Sequence, residues 1–414
     1  MTGPVRCFSI SRKVNKRHIN QITGPARFRV KFSIRRAKGD QRMGKRGAAP
    51  ATPRATFAGV RGLRHSCRMK IGLILSHDGL AGLWTLGCQG GAILAAAELN
   101  AAGGVLGEEV EIVHIDSGET AQSAFRAAQR LAIEENVDAV IGLQSSNLRP
   151  AVRRGLAGLA PYIYTPHYEG GFCGPGTATL GITDAEVLIP SLDWMFTHRR
   201  ARRFFFVGNR YIWPRVAHGT TETAIRMIGG EFVGDAFLSL GQRDYDETLL
   251  KIARARPDVV VVAMLGEDSV CFNRAFADAG LSRRIIRLNL AFEETQLLGV
   301  SDGCSENLFA AQPYFDSSRG HNRDDLAARY ESCFSGELPS MTTNTVNCYD
   351  AIYLVAALAD RIGRVDGHLM ARFLRDRLPR AAAYRLIGRS DADAGVRLAE
   401  AEGVEFQVRE TFMA

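Results

Sequence analysis

The sequence contains no run of 18 apolar residues, so no stretch of it reads as a transmembrane helix. Metal-type cysteine spacing is also missing. Its eight cysteines, Cys7, Cys67, Cys88, Cys173, Cys271, Cys304, Cys333 and Cys348, include no CxxC pair. Scattered cysteines in mostly apolar surroundings read as small buried hydrophobes kept reduced. Catalytic signatures are absent as well: there is no GxSxG, no HExxH and no GxxxxGK[ST]. GGVLGEEV (103–110) follows a helix instead of joining strand to helix, so its glycines fail as a dinucleotide fingerprint. No cofactor and no metal are expected.

Acid is nearly missing from one end. Residues 1–68 hold 18 Lys/Arg and one acid, Asp40, whereas 69–414 hold 34 basic and 43 acidic residues. The basicity of the chain therefore belongs to its leader, and the body carries no charge argument for nucleic-acid binding. The leader lacks apolar periodicity and is expected to be disordered, with too little apolar surface to offset ordering entropy. It also lacks the 7–15-residue apolar core of a secretory signal; KFSI and ATFAGV are too short. Three readings remain for it: a transit-like presequence, a nucleic-acid tail, or untranslated sequence before a start at Met69. The last is favoured because MKIGLIL begins the first strand at once. The body is expected to fold and bind without the leader.

What the body does have is regular. Apolar runs such as KIGLILS (70–76), VEIVHID (110–116), DAVIGLQ (138–144) and YIYTP (162–166) alternate with amphipathic segments. Strands apolar throughout and interleaved with helices imply a parallel sheet covered on both faces. ATLGIT (178–183) interrupts the series. A second one follows with RRFFFVGN (202–209), EFVGDAFLSL (231–240), DVVVVAML (258–265) and RIIRLNL (284–290), then NLFAAQPYF (307–315) and long helices. The expected fold class is α/β: two lobes of parallel sheet flanked by helices, with the chain crossing between them more than once. The expected bounds are 69–182 and 291–383 for lobe 1, and 183–290 and 384–414 for lobe 2.

Ligands of open parallel sheets bind beyond the carboxyl ends of strands, and interdomain clefts are preferred sites. Those ends carry Ser76 to Asp78, Gln144 to Ser146, Tyr164 to Glu169, Asn209 to Trp213, Gly266-Glu267 and Asn289. The stretch YTPHYEGG (164–171) thus becomes a candidate cleft wall, since tyrosine offers a rigid apolar face with a polar tip. A plainer reading stands beside each candidate. Ser145 or Ser146 merely caps the following helix; Tyr168 and Glu169 form a surface turn; Tyr211 and Trp213 pack before Pro214 at a helix start. Ser145 or Ser146 with His167 as a nucleophile pair finds no support in the spacing.

IGLILS, AAAELNAAGGVLG (95–107), IGLQSS, YTPHYEGG, FVGNRYIWPR (206–215) and AQPYFDS (311–317) together resemble the type I periplasmic-binding-protein superfamily. The likeness is to its amide- and urea-binding branch, which includes solute-binding components of ABC transporters and the amide sensors that regulate aliphatic amidase operons. The resemblance implies a non-enzymatic receptor that closes by hinge motion on a short amide, urea or amino-acid-like ligand. It carries Ser146, Tyr164, Tyr211 and Trp213 into the pocket, with Thr165 and Pro166 nearby. The candidate set is Ser145, Ser146, Tyr164, Thr165, Pro166, Tyr168, Glu169, Tyr211 and Trp213. Gln144 stands where an aromatic is common, and Trp213 where a tyrosine is. The sensor members lack a signal peptide, which favours a cytoplasmic amide sensor read by a regulator protein. The alternative is a periplasmic component serving an ABC permease for urea, amides or branched-chain amino acids. An amide hydrolase is disfavoured for want of an activated nucleophile. The sequence leaves homo-oligomerisation open.

Overall fold

A computed structural model describes residues 68–301, 303–318, 324–335, 337–376 and 378–413. The basic leader therefore lies outside the described residues, except for Arg68.

The first sheet is wholly parallel, in the order β2-β1-β3-β4-β5. Its strands are β1 (Arg68–Leu75), β2 (Glu109–Asp116), β3 (Ala139–Leu143), β4 (Tyr162–Tyr164) and β5 (Thr177–Thr179). β3 is buried at every position, as a central strand covered on both faces must be. Helices α1 (Thr85–Ala101), α2 (Ala121–Ile133) and α3 (Arg149–Leu156) connect them. Thr120 and Ser123 form a reciprocal cap that fixes the start of α2. ATLGIT, which breaks the sequence pattern, begins within the short edge strand β5, paired parallel to β4.

The second sheet runs β12-β11-β10-β9-β8-β6-β7. After α4 (Asp184–His198) come β6 (Arg203–Asn209), α5 (Ile212–Ile228), β7 (Glu231–Leu238), α6 (Asp246–Ala255), β8 (Val259–Ala263), α7 (Gly266–Asp278), β9 (Ile286–Asn289), α8 (Glu294–Val300) and β10 (Leu308–Gln312). These strands are parallel, and the closing hairpin of β11 (Val396–Glu402) and β12 (Glu405–Phe412) adds antiparallel to β10. This corrects the expected lobe 1 segment 291–383. β10 pairs with β9 (Ala310 opposite Asn289) and stands in the second sheet, because a strand buried along its whole length needs a neighbour on each side. The crossing occurs after Gln312.

Helices α9 (Asp324–Phe334), α10 (Thr343–Ile362), α11 (Gly367–Phe373) and α12 (Arg380–Leu386) then return to the first sheet. Val346, Ile352, Val355, Met370 and Tyr384 join Ile71, Leu73 and Ile141 in one core. A separate core of Val187, Leu192, Phe204, Phe206, Val261, Leu288 and Leu398 holds the second sheet. Along the described residues the chain crosses between sheets three times: after β5, after β10 and before β11. The carboxyl ends of both sets of parallel strands meet at the site below. The six described cysteines are free, and no described helix is long and apolar enough to cross a membrane.

Candidate functional site

A cavity opens where these strand ends converge. From the first sheet come Leu143, Gln144, Ser145 and Ser146 after β3, Tyr164, Pro166 and His167 after β4, and Ala81 and Trp84 after β1. From the second come Tyr211 and Trp213 after β6, Leu265 after β8, Ala291 after β9 and Gln312 at the end of β10; Thr343 and Asn344 at the start of α10 complete the wall. The space open to water centres is about 40 Å³. One water needs about 10–15 Å³ of such space, so the cavity as it stands matches a few waters or a very small solute.

Ser145 lines the cavity, and its hydroxyl forms no hydrogen bond among the described residues. Neither serine caps α3, whose N-cap is Leu148. Ser146 Oγ instead donates to Glu169 Oε2 at 2.6 Å, and Arg149 Nη2 donates to Glu169 Oε1 at 2.5 Å. The Arg149 guanidinium lies over the rings of Tyr164 and Tyr168, 4.9 and 5.6 Å from their centroids. Glu169 is thus an anchor within the first lobe and lies outside the cavity wall.

Tyr164 reaches the cavity with its ring, while its hydroxyl donates to the Gln144 carbonyl at 2.7 Å. Burial pushes that phenol well above its usual range. Gln144 is fixed in turn, donating to the Ile74 carbonyl and accepting from the Tyr162 hydroxyl. Two further residues of YTPHYEGG face the protein interior. Thr165 is fully buried, bonding the Gly142 carbonyl and accepting from Asn347 Nδ2 at its own carbonyl. Tyr168 is buried in the first lobe beside Thr179. Thr165, Tyr168 and Glu169 do not line the cavity, because hydrogen bonds to Gly142, Asn347, Thr179, Ser146 and Arg149 hold them within the first lobe. The other six candidates are brought to one wall. Gly170 and Gly171, at φ +89° and +82°, make the turn that lets Glu169 fold back.

Sequence reasoning passed over His167 and Asp184 as site residues. Asp184 opens α4 at the crossing from β5 and is fully buried. Its Oδ1 accepts both His167 Nε2 at 2.8 Å and Trp213 Nε1 at 2.9 Å. One carboxylate thereby links a loop of the first sheet to an aromatic of the second. His167 also meets Trp213 edge-to-face, 5.5 Å between centroids. Burial raises the Asp184 carboxyl, and the bonds from His167 and Trp213 oppose that rise. Tyr211 is likewise pushed up by burial. Thr343 and Asn344 were also missed; they enter from a helix that begins 31 residues past the end of β10, and nothing local marks them. Gln312 had a signal, as the amide ending a buried strand.

Glu293, in the turn after β9, grips α10. Its carboxylate accepts the Asn344 backbone N–H at 3.1 Å and Asn344 Nδ2 at 3.0 Å. Complete burial raises its carboxyl to about 7, and burial raises neighbouring Glu294 to about 8. His167 bonds Asp184 and Ser146 bonds Glu169, and among the described residues no hydrogen bond joins either serine to His167. Nor do they include three or more His, Cys, Asp or Glu grouped to hold a metal ion.

Comparison with known proteins bears on the family and the fold. A family profile described as periplasmic binding protein matches residues 68–394. An amino acid binding protein of Pseudomonas aeruginosa is 24% identical over 202 residues, 47% of this chain; the match spans only 54% of that relative's length. Leu/Ile/Val-binding protein homolog 1 of Brucella abortus is 22% identical over 298 residues, 70% of this chain and 78% of its own. Among solved structures, the branched-chain amino acid transporter substrate-binding protein LivJ of Streptococcus pneumoniae, in complex with isoleucine, superposes with a TM-score of 0.70 at 18% identity. It covers 84% of this chain and 99% of its own. An ABC transporter solute-binding protein of Rhodopseudomonas palustris, in complex with 3,4-dihydroxybenzoic acid, gives 0.68 at 17% identity, covering 84% and 98%. These likenesses show the two-lobed type I fold.

Proposed function

The chain belongs to the periplasmic binding protein family, and from that premise we propose that it is a non-catalytic receptor closing on a small neutral ligand of the amide or urea class. One observation carries this reading: the cavity wall contains no Asp, Glu, Lys or Arg, and its one histidine, His167, is already paired with Asp184. A zwitterionic amino acid or a free carboxylate would be desolvated there without a counter-charge, at a cost of several kcal/mol. The N-terminus of α10 is the natural seat for a carboxylate. Its N–H groups at Asn344 and Thr345 are already taken, by Glu293 and by the Thr342 hydroxyl. What remains suits a neutral planar solute: flat walls from Trp84, Tyr164, Tyr211 and Trp213, and neutral polar tips from Ser145 and Gln312.

Binding starts on the first lobe, at Ser145 and the Tyr164 ring. Closure then brings Tyr211 and Trp213 over the ligand, by differential affinity for the closed state. The partner that reads closure is an ABC permease, a reading supported by the structural neighbours named as transporter binding proteins. The likeness of YTPHYEGG and FVGNRYIWPR to the amide-binding branch supports a second reading, an amide sensor read by a regulator protein; compartment follows partner. A thermal-shift screen of the full chain against amides, ureas, carboxylates and amino acids tests the ligand class. A ligand at 100 times its Kd stabilises by about 2.7 kcal/mol. A response to leucine or isoleucine with none to any amide or urea would refute the proposal.

A further inference from the structure

A second cluster of polar side chains stands on the first lobe, away from the cavity. His114 lies on β2, the edge strand of the first sheet, on the face where Val110 and Ile112 pack into the core with α1. His77 sits in the turn after β1, and Gln89 reaches the same spot from the second turn of α1. His77 Nε2 and His114 Nε2 are 2.9 Å apart, and the Gln89 side-chain amide is 3.0 Å from His114 Nε2. The two rings lie 4.5 Å apart between centroids. All three residues keep part of their surface exposed, and none lines the cavity. Two imidazole nitrogens so close cannot both point a proton at the other, so at least one presents a lone pair. Burial, with His77 beside it, holds the His114 imidazole down to about 4, which leaves that ring neutral at neutral pH. Asp116, two residues along β2, accepts the His77 backbone N–H at 3.2 Å and adds a negative charge close by.

We propose that His77 and His114 bind a divalent late transition-metal ion, nickel or copper by preference, between their Nε2 atoms, with the Gln89 side-chain oxygen and water completing the coordination. Bonds from imidazole nitrogen to ions of this size run about 2.0–2.1 Å. Two nitrogens at that range and 2.9 Å apart subtend about 90° at the ion, whereas tetrahedral ligands would stand about 3.3 Å apart. A right angle is the cis relation of square-planar and octahedral sites, the geometry that copper(II) and nickel(II) take with nitrogen and oxygen ligands. A half-turn of the Gln89 amide puts its oxygen where its nitrogen stands, 3.0 Å from His114 Nε2. The ligands come from β2, the turn after β1 and α1, so the ion fastens that turn to the edge strand and the helix. The same turn runs on to Ala81 and Trp84 of the cavity wall. The inference is independent of the amide or urea reading.

The test uses the full chain, stripped of metal with a chelator and titrated with nickel or copper chloride in a calorimeter. Wild type is expected to show a binding event that His77→Ala and His114→Ala each weaken about tenfold or more. The double variant should lose little beyond either single one, because an ion that needs both rings is released with the first. His18 and His65 of the leader and the other histidines stay in every variant, so differences between variants report this pair alone. Copper(II) electron paramagnetic resonance gives a second reading, with splitting from two nitrogens in wild type that His77→Ala removes. His77 sits in a turn, so His77→Ala should keep the wild-type urea midpoint without metal, and it decides the case if His114→Ala fails to fold. Equal affinity in wild type and His77→Ala, or losses that simply add in the double variant, would overturn the proposal and leave the two rings as a hydrogen-bonded pair.

Discussion

Gly266 sits where the two lobes touch. It opens α7 with φ +42°, and a Cβ built there would stand 1.8 Å from the Leu80 carbonyl oxygen, in the turn after β1. Non-bonded heavy atoms rest at about 3.5 Å, so Gly266→Ala must part these backbones by roughly 1.5 Å. Both sides are main chain, and neither can swing away as a side chain would. Leu80 leads into Ala81 and Trp84, and Gly266 follows Leu265, all three of which line the cavity. The separation therefore opens the cleft at its wall. A hydrogen bond near 2.9 Å stretched by that amount is lost. A ligand held from both lobes would lose one or two neutral hydrogen bonds, about 1–3 kcal/mol together, or about 5- to 150-fold in Kd. Left-handed backbone at alanine costs about 1–2 kcal/mol in addition, borne by the free protein. Fluorescence titration with the amide strongest in the thermal-shift screen gives Kd, and small-angle scattering with and without that amide reports closure. Wild-type affinity together with ligand-induced compaction would show that the turn at Leu80 yields locally, and would refute the argument that this contact gates closure.

Stability should also respond to pH through Glu293 and Glu294, whose carboxyls burial raises to about 7 and about 8. Raised above the ordinary value near 4.3, they favour folding in their protonated form. That contribution is complete below about pH 4 and is lost as pH climbs toward 7 to 8. Glu294→Gln should therefore gain stability relative to wild type at pH 8 and little at pH 5 in urea denaturation; an equal difference at both pH values would contradict the assignment. Tyr164→Phe removes the hydroxyl that bonds the Gln144 carbonyl and keeps the ring at the cavity. It should cost about 0.5–1.5 kcal/mol of unfolding free energy with less than a twofold change in amide Kd, and a large affinity loss at unchanged stability would return that hydroxyl to the ligand.

Much of the fold was legible because parallel strands carry their own signature. AVIGL and VVVVA are apolar at every position, and only a sheet covered on both faces buries them so. The strand-end rule then located the cavity, since it needs no knowledge of how the lobes meet. Within YTPHYEGG the structure divides the residues that the sequence treats alike. Tyr164, Pro166 and His167 reach the cavity, whereas Thr165, Tyr168 and Glu169 turn inward. Glu169 faces inward because Arg149, fifteen residues before Tyr164, supplies a counter-charge at 2.5 Å, and no local pattern announces that pairing.

By itself the sequence determined the α/β class, the two arrays of strand and helix, and the aromatic and hydroxyl character of the strand ends. Periodicity and burial are local properties, written into each segment by the solvent it must avoid. Tertiary structure alone decided that β10 stands in the second sheet, that Thr343 and Asn344 enter the wall from a distant helix, and that Asp184 ties His167 to Trp213. Those facts depend on which surfaces meet when the chain crosses between lobes. Such meetings are set by packing and by the need of each buried polar atom for a partner, and both are relations between segments that no single segment contains.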